Sequence, residues 1–309
     1  MKNTSRCVAA AVLSAAIVSP ALAALPKVIT TTEDLAALAR EVGGDKITVD
    51  AMAKGYQDPH FVEAKPSFII KLHDADLLIA IGRELEIGWL PPLLTQSRNA
   101  KIQVGAPGYL DASNGVHILE LPTGQITRAM GDVHPAGNPH YWLDPGNGRI
   151  IARSIATALA GISPADKAYF EQRYADFDRR LTDAQKRWAS AMAPYKGTKV
   201  VTYHRSWPNF TDRFGLDVIG YVEPKPGIPP SPSHTIDLIA EMKSQQVKVI
   251  LVEPYFDLKT PESIAREVGG KVLVLAPSVG GVKEAPDYIK LFDYNINLVT
   301  TTFKQVLGK

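Results

Sequence analysis

The chain has 309 residues and one cysteine, with 34 basic and 32 acidic side chains for a formal charge of +2. So even a balance, without a long basic run, gives no electrostatic footprint for nucleic acid or an anionic membrane surface. The length calls for two domains, each with a core of its own.

Residues 1–23 read as a signal peptide. Lys2 and Arg6 form a positive start, Val8 to Val18 is an apolar run, and Ala21-Leu22-Ala23 is a small-x-small cleavage pattern. The run is about half the ~20 residues that a spanning helix needs. Cleavage after Ala23 removes both cations and the lone Cys7, leaving a formal charge of about zero and no thiol for disulfides or metal ligation. Cys7 precedes the apolar run, whereas a lipid-anchored cysteine follows it, so a soluble periplasmic protein is expected.

Val28 to Thr31 reads as a first strand, and Thr32, Glu33 and Asp34 cap and start a helix through Val42. Leu77 to Ile81 is a short apolar run ending at Gly82, the pattern of a strand buried on both faces. Ser163-Pro164-Ala165-Asp166 starts a helix that can run to Pro194, roughly 43 Å, with Tyr169, Tyr174, Phe177, Leu181 and Trp188 as its apolar stripe. An ordinary surface helix has the same pattern, but its mid-chain position favours a stiff connector. Lys199 to Tyr203, Val247 to Val252 and Lys271 to Leu275 read as further strands. Ile236 to Lys243 and Pro261 to Val268 read as helices, and Pro224 to Ser233 as an irregular loop. The expected fold is α/β: two β/α lobes with mainly parallel sheets, residues 24–163 and 195–309, joined by one long rigid helix over 164–194.

Of the seven histidines, His60, His140 and His204 fall where strand-like runs give way to loops. Ligands of open α/β sheets bind outside the carboxyl ends of the strands. Three imidazoles leave a tetrahedral zinc site one ligand short. Spacing alone favours three unrelated, hydrogen-bonded loop histidines, because separations this long form no local metal motif.

Several local sequences, in order, are similar to the zinc/manganese-binding solute receptors of bacterial ABC importers, the ZnuA/TroA-like group (cluster A-I). They are Asp58-Pro59-His60 with Pro66, Ala75 to Ile79 leading into Gly82-Arg83-Glu84-Leu85-Glu86, and Asn138-Pro139-His140-Tyr141-Trp142-Leu143-Asp144-Pro145. Tyr203-His204 with Phe210 and Phe214-Gly215-Leu216, Pro230 to Ser233, and Val252-Glu253 complete the set. The resemblance implies a non-catalytic monomer that captures a transition metal between its lobes and delivers it to an inner-membrane ABC permease. It implies His60, His140 and His204 as ligands. Three nitrogen donors favour Zn2+ over the alternatives Mn2+ and Fe2+.

The acidic fourth ligand usual in that family falls at Pro277 in Leu275-Ala276-Pro277-Ser278, where no side-chain donor exists. Glu253 or a water is the expected replacement, with Asp257 ranked behind them. Asp144 is expected either to orient a ligand imidazole or to cap a helix. Trp142, Trp207 and Phe210 are expected to shield the site. His117 and His134 flank a loop that reads as solvated, with an accessory metal site as the alternative; His73 and His234 read as surface positions. The rival functions are a three-histidine zinc hydrolase or hydratase and a receptor for a metal chelate or small organic ligand. No nucleophile elbow or phosphate loop supports an enzyme.

Overall fold

A computed structural model describes residues 24–124, 127, 131 and 133–308. The signal-peptide reading therefore lies outside the described residues. The first lobe contains β1 (Lys27–Thr30), α1 (Glu33–Gly43), β2 (Thr48–Ala51), α2 (Pro66–His73), β3 (Leu77–Ala80), α3 (Leu90–Ser97) and β4 (Tyr109–Asp111). The second contains β5 (Thr198–Thr202), α6 (Pro208–Phe214), β6 (Leu216–Tyr221), α7 (Pro232–Ser244), β7 (Val249–Val252), α8 (Lys259–Val268) and β8 (Lys271–Val274). Between them run α4 (Pro145–Ile162) and α5 (Lys167–Met192), and α9 (Tyr288–Leu307) closes the described chain.

Both sheets are four-stranded and wholly parallel, in the equivalent orders β2-β1-β3-β4 and β6-β5-β7-β8. The two continuous apolar runs, Leu77–Ala80 and Val249–Val252, are buried along their whole length, as strands covered by helices on both faces must be. The central strands end alike: Thr30 Oγ1 donates to the carbonyl of Thr32, and Thr202 Oγ1 to that of His204, both at 2.8 Å. Each threonine thereby holds the turn in which the chain leaves its sheet toward the cleft.

Helix α5 buries Phe170, Phe177, Leu181, Ala184, Trp188 and Met192. Phe170 takes the place expected of Tyr169, which is half-buried with Tyr174. Its first turn is 3-10 over Pro164–Asp166, and 26 α-helical residues follow, about 39 Å. The largest apolar cluster runs without interruption from Val28 and Leu38 of one lobe through Phe177 and Trp188 to Leu251 and Phe303 of the other. Such a core resists bending at α5, because opening it would expose close-packed aromatic surface. Trp142 Nε1 donates to the Pro277 carbonyl at 2.9 Å, and Ser278 Oγ and Val279 N–H both donate to buried Asp34 of α1.

Elements β2, α3, β4, α4, α6, β6 and α9 escape the sequence reading; β2 and β4 are short edge strands with weak apolar patterns. Helix α7 begins at Pro232, inside the segment expected to be loop. Ser231 caps it by accepting the His234 N–H at 3.2 Å, and proline is well suited to a first helical position.

Candidate metal site

The carboxyl ends of both sheets face one cleft, and three imidazoles meet there. His60 follows a tight turn after β2, His140 precedes the short turn Tyr141–Leu143, and His204 follows β5. Ring centroids are 5.1 Å apart for His60 and His140, 5.5 Å for His60 and His204, and 5.7 Å for His140 and His204. One nitrogen from each lies within 4.8 Å of the other two, the only such cluster of donors among the described residues.

Each ring is held by its far nitrogen. His60 Nδ1 lies 2.8 Å from Asp58 Oδ1, which also accepts the His60 backbone N–H. The Trp89 indole binds the neighbouring Pro59 carbonyl at 3.0 Å and fixes that turn from below. His140 Nδ1 lies 3.1 Å from Asn138 Oδ1. The Asn138 amide nitrogen donates to Glu120 Oε2 and to the Arg205 carbonyl, so the atom facing His140 is the oxygen. His204 Nδ1 lies 2.7 Å from Glu223 Oε2. Because these oxygens only accept, Nδ1 carries the hydrogen on all three rings and Nε2 keeps its lone pair. His140 Nε2 is buried with no hydrogen-bond partner. A buried lone pair of that kind is costly unless a cation answers it.

Burial, followed by the neighbouring imidazoles, drives the His140 pKa well below its usual value. Burial also pulls on His204, but the Glu223 hydrogen bond and the Glu253 and Glu223 charges outweigh it and raise the pKa. Asp58 resists its own burial through the hydrogen bond and charge of His60 and ends below the ordinary carboxylate range. Asp58, Glu223 and Glu253 thus place three carboxyl groups around three imidazole donors, surroundings that suit a divalent cation.

Glu253 is fully buried beyond the end of β7 but is not among the three converging donors. Both its oxygens lack a hydrogen-bond partner, and burial pushes its carboxyl up to about 7, against the opposing pull of His204. The Ser206 hydroxyl is near enough to favour its charged form without hydrogen-bond geometry. Asp257 is exposed and accepts the Lys259 N–H at 2.7 Å. Ser278 gives its hydroxyl to Asp34, and Pro277 contributes a carbonyl to Trp142. Asp144 caps α4 by accepting the Gly146 N–H at 2.7 Å and pairs with Arg213, which leaves the orienting of His140 to Asn138.

His134 does not behave as an ordinary loop residue. It is half-buried, and its Nε2 lies 3.3 Å from His60 Nε2. Burial, then the charges of His60 and His204, lowers its pKa to about 4. His117 stays exposed and joins no donor cluster among the described residues; its backbone is clamped by the Asn147 side chain. His73 bonds the Ser97 carbonyl and His234 the Tyr221 carbonyl. Trp142 lies 5.3 Å from the His140 ring, and Trp207 and Phe210 are buried behind the site.

A family model described as "Zinc-uptake complex component A periplasmic" matches residues 28–302. The chain belongs to this family. Membership of the ZnuA family makes it a substrate-binding receptor for ABC-transporter uptake, not an enzyme. The manganese ABC transporter substrate-binding lipoprotein PsaA of Streptococcus pneumoniae is 26% identical over 282 residues, covering 88% of this chain and 87% of the relative. The high-affinity zinc uptake system protein ZnuA of Bacillus subtilis is 24% identical over 277 residues, covering 87% and 85%. A crystal structure of ZnuA superposes with a TM-score of 0.76 at 24% identity, covering 90% of this chain and 99% of that one. The ZnuA-family fold and its two-lobed architecture are thereby established, and with them the metal-receptor class.

Two site residues were missed in the sequence. Glu223 stands in a Val-Glu-Pro run after β6 with no motif of its own, and only the placement of β6 beside β5 brings it to His204. Asn138, two residues before His140, repeats the spacing of Asp58 and His60, a signal that was legible.

Proposed function

We propose that this protein captures a single zinc ion as cargo, on Nε2 of His60, His140 and His204, and hands it to the inner-membrane permease of an ABC importer. The observation that carries the reading is the shared arrangement of three rings, each tethered at Nδ1, with one nitrogen of each within 4.8 Å of the other two. Nitrogen donors favour zinc, whereas Mn2+ prefers an oxygen-rich shell. Mn2+ and Fe2+ are the competing cargoes. Glu253 serves in this reading as a buried carboxyl beside His204, not as a ligand.

The cation-apolar-AlaLeuAla start supports export, with cleavage after Ala23. Cys7 lies ahead of the apolar run, which supports a freely diffusing periplasmic monomer over a lipid-anchored one. Residues 24–163 and 195–309 form the two metal-holding lobes, and 164–194 the strut between them.

Protein purified from periplasm is expected to carry one zinc per chain and to begin at Ala24. The alanine variants of His60, His140 and His204 are expected to lose the metal. Zinc retained at wild-type affinity by all three variants, or manganese in place of zinc, would sink the assignment.

A further inference from the structure

We infer that His134 is the fourth metal donor, closing over the cation from the loop above the cleft. This inference rests on the zinc reading and completes its coordination shell. With zinc–nitrogen bonds of 2.0–2.1 Å, the nitrogens of a tetrahedral site stand about 3.3–3.4 Å apart. His134 Nε2 and His60 Nε2 are already 3.3 Å apart. The three other nitrogens lie within 4.8 Å of one another, a wider spacing that contracts around a cation.

The pairing of His134 with His60 also has a chemical reading. His60 gives its only hydrogen to Asp58 through Nδ1, so its Nε2 is an acceptor. His134 Nε2–H is therefore the donor between the two rings while no cation is bound. Moving that hydrogen to Nδ1 frees the His134 Nε2 lone pair, and a turn of the ring, which stands beside the three-donor cluster and outside it, then brings that nitrogen to the cation. The hydrogen-bonded pair thus keeps the fourth donor next to the site, one ring adjustment from the cation.

The backbone around His134 is built to hold this position. Arg83, in the left-handed region at φ 53°, reaches Ala136 with its guanidinium at 3.0 Å and Ser113 Oγ at 3.1 Å. The Gly137 N–H closes a turn on the His134 carbonyl, and the Asn138 N–H bonds the Leu119 carbonyl. His134 also lines the cavity it shares with Glu120, Asn138, His140, His204 and Arg205. The carboxylate position lost at Pro277 is on the far loop after β8, and a donor from the opposite lobe would replace it.

The test uses the mature protein and its His134→Ala, His134→Asp and His140→Ala variants. Zn2+ is titrated against a chromophoric chelator, and Co2+ is titrated by visible absorption. X-ray absorption of the zinc form is expected to count four imidazoles in wild type and three in His134→Ala. His134→Ala should bind zinc at least about tenfold more weakly, the lower end of the cost of losing even an orienting partner. Its cobalt spectrum should become pH-dependent, since water then fills the open position and ionises near neutral pH. His134→Asp should recover part of the affinity through an oxygen donor. Equal zinc affinity and an unchanged cobalt spectrum in His134→Ala, with binding lost in His140→Ala, would overturn this inference and leave the three-histidine site standing. A wild-type protein that takes up no zinc overturns both.

Discussion

At the scale of single residues, the site depends on acceptors as much as on imidazoles. Glu223 holds His204 in one tautomer at 2.7 Å, and Asp58 does the same for His60. Glu223→Ala is expected to weaken zinc binding by about 10–100-fold while leaving every ligand in place; chelator competition measures it, and undiminished affinity would contradict the orienting role. Asp34 carries a prediction about stability. Burial raises its carboxyl from 3.8 to about 7, partly offset by Ser278 and Val279. Between those values the folded protein holds a proton that the unfolded chain has released, so stability falls as pH rises through that window. Glu86 and Glu253 are raised in the same direction. Asp34→Asn keeps the shape and should flatten the pH dependence of the metal-free melting temperature between about pH 5 and about pH 7.5. Parallel melting curves for variant and wild type across that range would rule Asp34 out.

At the scale of elements, the strand ends deliver the site and the helices hold it still. The turn after β3 shows how closely this is specified. Gly82, Arg83 and Glu84 all have positive φ, and Glu86 accepts the N–H groups of Ile81 and Gly82 at 2.7 and 3.1 Å. That conformation costs a non-glycine residue on the order of 1 kcal/mol or more, and here it points the Arg83 side chain at the segment carrying His134. Helix α5 is anchored by Phe177, fully buried in the cluster that spans both lobes. Phe177→Ala should destabilise the protein by about 3–5 kcal/mol. Denaturant unfolding is the measurement, and a loss below about 1 kcal/mol would mean that the helix is not the shared core it looks to be.

At the scale of the whole molecule, the largest of three apolar clusters among the described residues spans both lobes, and Trp142, Ser278 and Val279 bond across them. Metal capture should therefore proceed by side-chain and loop adjustment with little lobe closure. Scattering profiles of metal-free and zinc-bound protein are expected to give the same radius of gyration, and a large compaction would refute the stiff connector. Binding to the folded state alone should stabilise it by about 4 kcal/mol at a thousandfold excess over Kd. A chelator should reverse the accompanying rise in melting temperature.

Much of this was legible in the chain itself. Apolar runs and capping residues mark β1, α1, β3, β7 and α8, because burial on both faces and orphan helix N–H groups each demand particular residues locally. The ordered set around His60, His140 and His204 marks the family for the same reason: each histidine needs its own turn chemistry beside it in sequence. Tertiary structure alone decided which side chains meet. Glu223, nineteen residues from His204, and His134, seventy-four from His60, become neighbours only when strand order and loop path bring them together. Coordination and hydrogen bonding act over about 3 Å, and no local pattern encodes a distance between segments so far apart along the chain.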